Sequence, residues 1–201
     1  MGGGQPAAPS FLKEISMNYA AIKWADVANG PGVRVSLFVS GCTHHCPGCF
    51  NEEAQDFHYG QPFTDVEEEQ IMEALAFGPI RGLSLLGGEP FEPDNQRGLL
   101  PLLRRVKEKY PQKEIWCYTG YTLDGELWRP SRARCEATDE LLSLIDVLVD
   151  GPFVEAQKDL HLRFRGSSNQ RILNVPASIQ AHAPVLWDGD MEIQSITPTF
   201  S

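Results

Sequence analysis

The hydrophobic pattern of the chain first becomes regular at Val33–Val39, where alternating β-branched and aromatic residues predict a strand. Beyond it, apolar residues recur at helical spacing from Asp65 to about Phe77, and the acidic start of this segment suits a helix N-terminus. The same criteria predict strands at Gly82–Leu86, Glu114–Tyr118 and Val147–Val149, helices at Leu99–Lys109 and Thr138–Leu144, and weaker strands at Ile172–Val175 and Val185–Trp187.

Alternating strands and helices are typical of an α/β fold with a largely parallel sheet and right-handed crossovers. A complete eight-unit barrel takes about 250 residues, which is more than the 201 residues of this chain. The sequence therefore predicts an incomplete, open parallel β/α barrel. Distinctive sequences follow four predicted strands: Gly41-Cys42, Gly87-Gly88-Glu89-Pro90, Thr119-Gly120 and Asp150-Gly151. Because functional groups gather beyond the carboxyl ends of parallel strands, these segments predict a single site.

Composition and charge restrict the class of protein. Residues 1–16 are rich in Gly, Pro, Ala and Ser, so we expect a flexible leader, native or added, before one domain at residues 17–201. The net charge of −10 argues against a large nucleic-acid-binding surface. No stretch approaches the roughly 20 apolar residues of a membrane span, and the start of the chain lacks the features of a secretory signal. We therefore expect a cytoplasmic protein that binds neither nucleic acid nor membrane.

Three of the five cysteines lie close together at Cys42, Cys46 and Cys49. In a reducing compartment such a cluster favours metal binding over disulfides, and thiolates at C-x3-C-x2-C spacing suit an iron–sulfur cluster or zinc. Three ligands leave one iron of a four-iron cluster open to a small molecule. No second pair of ligands follows at zinc-site spacing. The zinc alternative needs a fourth ligand, for which the candidates are His44, His45 and His58.

The cysteine spacing, followed by the aromatic Phe50, resembles the signature of the radical S-adenosylmethionine (radical SAM) superfamily. A strand ending in Gly-Gly-Glu-Pro, here Gly87–Pro90, resembles the second element of that superfamily. The resemblance extends from about Met17 to at least Val175. Within the superfamily, the chain most resembles the activating proteins of anaerobic ribonucleoside-triphosphate reductase. The stretches that carry this narrower resemblance are Asn29–Gly32, Leu37–Cys42, Cys46–Asn51, Trp116–Tyr121, Val147–Phe153 and Arg165–Arg171.

The resemblance implies a 4Fe-4S cluster held by Cys42, Cys46 and Cys49, with S-adenosylmethionine (SAM) chelating the open iron. It implies that the Gly-Gly-Glu-Pro turn contacts the methionine amino group, and glycines there permit close backbone approach. For Glu89 the alternative is a helix-start carboxylate, and for Asp150 it is a turn-forming residue. The cofactor-binding residues expected from the resemblance are Phe50, Asn51, Gly87, Gly88, Glu89, Pro90, Thr119 and Asp150.

The implied activity is one-electron cleavage of SAM to a 5′-deoxyadenosyl radical, which removes a hydrogen atom from a glycine of the reductase. No catalytic residue beyond the cluster and the cofactor is required. The implied partners are the large subunit of the reductase and a low-potential electron donor of the flavodoxin or ferredoxin type. The alternatives are an activator of another glycyl radical enzyme, such as pyruvate formate-lyase, a radical enzyme of the deazapurine pathway, or a zinc-binding interaction module.

Overall fold

A computed structural model describes residues 17–189 of the protein. The leader expected at residues 1–16 lies outside the described residues, as do residues 190–201. The strands are β1 (Asn18–Asp26), β2 (Val33–Val39), β3 (Gln61–Pro62), β4 (Ile80–Gly87), β5 (Glu114–Tyr118), β6 (Val147–Asp150) and β7 (Arg171–Asn174). The helices are α1 (Asp65–Ala76), α2 (Pro93–Lys109), α3 (Thr138–Leu144) and α4 (Val175–Ala181).

The strands form one seven-stranded sheet in the order β3-β1-β2-β4-β5-β6-β7. The central strands β2, β4, β5 and β6 are parallel to one another, whereas β1, β3 and β7 pair in antiparallel fashion on the two sides. Within residues 17–189 the sheet is not closed, and β3 and β7 are its edges. The predicted α/β class with an open, parallel centre is confirmed. The antiparallel flanks were not predicted.

Alternation along β2 gives the sheet two different faces. Val35, Leu37 and Val39 are buried in the main hydrophobic core, where residues of α1, α2 and α3 pack over them. Arg34 and Phe38 lie on the opposite face. A smaller cluster is buried on this second face and consists of Trp116, Val147 and Val149. The helices therefore cover one face of the sheet, and the other face is available for a site.

A buried arginine fills one end of the second face. Arg34 Nε donates to Ser84 Oγ at 2.8 Å, and its Nη2 donates to the carbonyl oxygens of Leu83 at 3.0 Å and Glu114 at 2.8 Å. The guanidinium also lies 5.5 Å from the ring centroid of Trp116. Burial lowers the pKa of Arg34 to about 10, although the Glu114 carboxylate opposes this shift. The open space on this face therefore lies toward the carboxyl ends of the parallel strands.

The bounds of several elements match the prediction, while others differ for identifiable reasons. β2, β5 and α3 have the predicted bounds, and α1 begins at Asp65 behind Thr64, which forms a capping box with Glu67. α2 begins six residues earlier than the predicted Leu99, because its first turn buries polar rather than apolar side chains. The predicted strand at 185–187 is only an isolated bridge.

Two strands and one helix were missed altogether. β1 exposes much of its length and shows no strict alternation, β3 has two residues, and α4 has seven. Such elements give too weak a periodic pattern to be recognised. In the part of the chain that the structure describes, no helix has both the length and the apolar character needed to cross a membrane.

Candidate functional site

The three predicted metal ligands lie on a loop that follows β2, which we call the cysteine loop (residues 41–55). Its ends are joined by a backbone hydrogen bond in which Gly41 N donates to Ala54 O at 2.8 Å. This bond closes the loop on itself, so the ligands project from a fixed base. The thiols are free and partly exposed, at Cys42, Cys46 and Cys49.

The protonation of these thiols depends on what binds them. Burial raises the pKa of the Cys42 thiol to about 12, and the carboxylates of Glu89 and Glu92 act in the same direction. Burial also raises the pKa of Cys46. Because a thiol must lose its proton to ligate a metal, a cationic centre among them has to supply the compensating charge. This donor set therefore fits a metal or iron–sulfur centre and does not fit a group of unliganded thiolates.

The Gly-Gly-Glu-Pro sequence forms a turn at the end of β4, the GGEP turn (residues 87–90), directly against the cysteine loop. Gly88 N donates to Val39 O at 2.7 Å, and Glu89 N donates to Gly41 O at 2.8 Å. A Cβ atom at position 88 would lie 2.5 Å from the Gly41 oxygen, so this close approach requires glycine. The two motifs are parts of one hydrogen-bonded structure.

The Glu89 carboxylate is 1% exposed and binds three separate segments. Its Oε1 accepts from Phe91 N at 2.8 Å, and its Oε2 accepts from Gly120 N at 2.8 Å. His44 Nε2 lies 2.9 Å from the same Oε2. The bond to Phe91 N, just before α2, is the kind of contact that a carboxylate at a helix start makes, which was the alternative considered for Glu89 from the sequence. The other two contacts join the cysteine loop, the GGEP turn and the end of β5.

Two residues at the start of α2 also hold the cysteine loop, and sequence reasoning missed both. Glu92 Oε1 accepts from Thr43 N at 2.9 Å and from Thr43 Oγ1 at 2.6 Å. Asn95 Nδ2 donates to Ser40 O at 2.9 Å and to Glu89 O at 2.8 Å, and it also lies 3.4 Å from Gly41 O in the loop. Both side chains are buried. The one sequence signal for these two residues was the run of polar residues directly after the GGEP motif. Hydrophobic periodicity assigns such a run to a loop.

A cavity of about 570 Å³ lies between these segments, a size suited to a small-molecule cofactor. Pro90 and Asp150 are not among its lining residues. Residues that were not predicted to bind a cofactor also line it, among them Lys23, Asn29 and Phe38. The predicted site residues in its wall are Cys42, Cys46, Cys49, Phe50, Asn51, Gly87, Gly88, Glu89 and Thr119.

Asp150 is fully buried, and its carboxylate accepts hydrogen bonds from other groups of the protein. Its Oδ1 accepts from Arg171 Nε at 2.8 Å, and its Oδ2 accepts from Leu123 N at 2.8 Å. Arg171 Nη2 also lies 2.7 Å from Asp124 Oδ1. The pairing with Asp150 raises the pKa of Arg171 above its ordinary value. The structure thus places Asp150 at the junction of β6 and β7 and does not bring it to the cavity.

The segment between β6 and β7, residues 151–170, forms one side of the cavity. Its end folds back on its beginning, since Gln170 Nε2 donates to Gly151 O at 3.1 Å and Asn169 Nδ2 donates to Pro152 O at 2.8 Å. Polar side chains of the stretch Arg165–Arg171, which carries part of the family resemblance, therefore shape this segment through hydrogen bonds to its backbone. Its lining residues include Leu162, Phe164 and Arg165.

An aromatic surface lies beside the cysteine loop. The ring centroids of Phe50 and Phe153 are 5.4 Å apart, and Lys158 Nζ lies 4.8 Å from the Phe50 centroid. Phe50 and Phe153 both line the cavity. Such a surface suits a planar ring system, because aromatic side chains offer large apolar area and favour offset or edge-to-face partners.

The histidines considered as zinc ligands have other contacts. His45 Nδ1 lies 2.7 Å from Gln55 Oε1, and the His58 side chain is almost fully exposed. Among residues 17–189, no three His, Cys, Asp or Glu side chains are arranged to hold a single metal ion. A four-iron cluster does not need such an arrangement, since its thiolate ligands bind different irons.

Comparisons with known proteins agree with this geometry. The family model described as "4Fe-4S single cluster domain" matches residues 28–173. Relatives named anaerobic ribonucleoside-triphosphate reductase-activating protein include that of Haemophilus influenzae, 48% identical over 158 residues that cover 78% of this chain and 97% of the relative. The Escherichia coli K12 protein is 47% identical over 77% of this chain and 96% of the relative. The Enterobacteria phage T4 protein is 36% identical over 83% of this chain and 99% of the relative. The chain therefore belongs to the family of anaerobic ribonucleoside-triphosphate reductase-activating proteins.

Proposed function

We propose that this protein generates the glycyl radical of anaerobic ribonucleoside-triphosphate reductase, with its cofactors bound between the cysteine loop and the GGEP turn. As a member of the family, it is an activating enzyme that uses a 4Fe-4S cluster and SAM. The observation that carries the proposal is the convergence of three free thiols and the GGEP turn on one cavity of about 570 Å³.

The fold assigned by this proposal is an open β/α barrel of the radical SAM type within residues 17–201. The parallel centre of the sheet supports it, because β2, β4 and β5 end at the cysteine loop, the GGEP turn and Thr119. The free cysteines suit a reducing cytoplasm. The electron donor would be a low-potential protein of the flavodoxin or ferredoxin type.

The residues that would hold the cluster are Cys42, Cys46 and Cys49. When bound, the cluster and SAM supply one-electron cleavage of the SAM carbon–sulfur bond and removal of a hydrogen atom from a glycine α-carbon. The protein would supply the three thiolate ligands, hold both groups in one orientation and limit water. A peptide of the reductase would enter on the side of Leu160, which lines the cavity and is 85% exposed. The cavity wall therefore extends to the protein surface.

The cavity offers suitable partners for SAM. Carbonyl groups of the GGEP turn and the remaining acceptor position of Glu89 can accept hydrogen bonds from the methionine ammonium group, since a carboxylate has about four acceptor positions. Phe50 would pack on the adenine, with Asn51 and Thr119 as polar neighbours in the wall. Pro90 would act indirectly by fixing the turn. Asp150 would also act indirectly, by fixing the ends of β6 and β7.

Anaerobic reconstitution with iron and sulfide tests this proposal. We expect about four irons per chain, an EPR signal of the reduced cluster that changes on SAM addition, 5′-deoxyadenosine, and a glycyl radical on the added reductase. The Cys46→Ala protein should lose the cluster. The matched Cys135→Ala protein should retain it, because Cys135 does not line the cavity.

Different results would point elsewhere. A stably bound single zinc, or a cluster that ignores SAM, would overturn the radical SAM assignment. A cluster that cleaves SAM but leaves the reductase without a radical, while activating another glycyl radical enzyme, would change the partner and leave the chemistry intact.

A further inference from the structure

The cysteine loop is fixed at two consecutive residues between its first and second thiols. Thr43 donates twice to the Glu92 carboxylate, at 2.9 Å from its backbone nitrogen and 2.6 Å from its hydroxyl. His44 Nε2 lies 2.9 Å from Glu89 Oε2. A carboxylate only accepts, so the histidine ring donates. The thiols and the GGEP turn are thus linked by side chains as well as by backbone.

The His44 ring has little freedom to move. It packs on Tyr121 with a centroid distance of 4.3 Å, and its side chain is 13% exposed. A Cβ atom on Gly120 would lie 2.7 Å from His44 Nε2, so the ring occupies the space that this glycine leaves. The ring is therefore held against the carboxylate from two sides.

The site is built so that one bound molecule must contact two separate segments. On the proposed function, SAM binds an iron held by the cysteine loop and the ammonium acceptors of the GGEP turn at the same time. Its affinity depends on the distance between those segments, because a ligand that spans two groups gains both contacts only when they are correctly spaced. The Glu89 carboxylate is almost completely buried at this junction, so losing a donor there is costly.

We propose that His44 is a positioning residue that holds the cysteine loop and the GGEP turn at the spacing SAM requires. This inference rests on the proposed function and deepens it. His44 acts through Glu89, to which it donates while Gly120 N donates to the same oxygen. It neither ligates the cluster nor exchanges a proton in the reaction.

The substitutions His44→Ala and His44→Gln test the inference, with His58→Ala as the matched control because His58 is exposed and outside the cavity. Titrating SAM into the reduced, reconstituted proteins by EPR should show a dissociation constant raised about ten-fold in His44→Ala, the size of one lost hydrogen bond to a charged group. His44→Gln retains an N–H donor and should recover most of the affinity. Cluster content should stay equal in all proteins.

A second measurement uses the protein without its cluster. Hydrogen–deuterium exchange should become faster in His44→Ala at the Gly120 amide and in the cysteine loop, whereas His58→Ala should match the wild type. The inference is overturned if His44→Ala binds SAM as tightly as the wild type, or if His44→Gln is as impaired as His44→Ala. It is also overturned if the EPR spectrum without SAM shows that cluster ligation has changed. If the wild type itself shows no response to SAM, the proposed function fails instead.

Discussion

Adding one methyl group to Gly88 should separate the two halves of the site. The new Cβ would lie 2.5 Å from Gly41 O and 2.8 Å from Ala54 O, whereas carbon–oxygen contacts are normally about 3.3 Å or longer. Both neighbours are backbone atoms, so the GGEP turn and the cysteine loop must move apart by about 0.8 Å. That movement strains the hydrogen bonds from Gly88 N to Val39 O and from Glu89 N to Gly41 O.

The expected cost follows from these contacts. Overpacking a buried site costs about 1–3 kcal/mol, and each weakened hydrogen bond contributes about 1 kcal/mol. We expect Gly88→Ala to lower the free energy of unfolding by about 3 kcal/mol. For a domain of this size that is a decrease in Tm of roughly 6–12 °C. SAM affinity should fall as well, because the cofactor contacts both segments.

Thermal unfolding of the cluster-free protein, followed by circular dichroism, measures the first effect. Gly78→Ala is the matched control, since no atom beyond the adjoining residues of the chain lies within 4 Å of a Cβ at that position. It should change stability by less than about 0.5 kcal/mol. A Gly88→Ala protein with the Tm of the control, and with unchanged SAM binding, would refute the close approach of turn and loop.

Two further predictions concern buried charges. Arg171→Ala leaves the fully buried Asp150 carboxylate without its cation and should cost about 3 kcal/mol in urea unfolding, and a loss below about 1 kcal/mol would contradict that pairing. Burial raises the pKa of Glu114, but the hydrogen bond and charge of Arg81, together with the charge of Arg34, outweigh it and hold the pKa below its ordinary 4.5. The stability that depends on this carboxylate is therefore present above pH 4.5 and is lost as the pH falls through the lowered pKa. The urea midpoint should fall less steeply with acidification in Arg81→Ala, and an unchanged dependence would exclude this ion pair as its source.

The parallel centre of the fold was predictable because its strands are buried and rich in apolar residues. β2 and β5 were located to the residue for this reason. The start of α2 was not, because Asn95 and Gln96 are polar yet buried. Their side chains bind carbonyl groups, as in the bond from Gln96 Nε2 to Phe91 O at 2.7 Å. Periodicity measures hydrophobic burial and cannot detect burial that hydrogen bonds make favourable.

The site likewise has a part that the sequence predicts and a part that it does not. The thiols and the GGEP turn could be predicted as site residues because their spacing along the chain is itself the signal. His44, Glu92 and Asn95 act on backbone or side-chain groups about 45 to 55 residues away, and no local pattern reports such pairings. Asp150 shows the converse case: its place at a strand end suggested the cavity, whereas its carboxylate binds Arg171 and Leu123.

The strand order also determines the order in which the site can assemble during translation. From β5 onward, each new strand joins the sheet beside the strand made before it, and domains begin to form from the N-terminal side as the chain emerges. A nascent chain that has reached Asn95, less than half of its 201 residues, contains both partners of every hydrogen bond described here between the cysteine loop, the GGEP turn and the start of α2. Glu89 alone must wait, because Gly120 arrives with the end of β5.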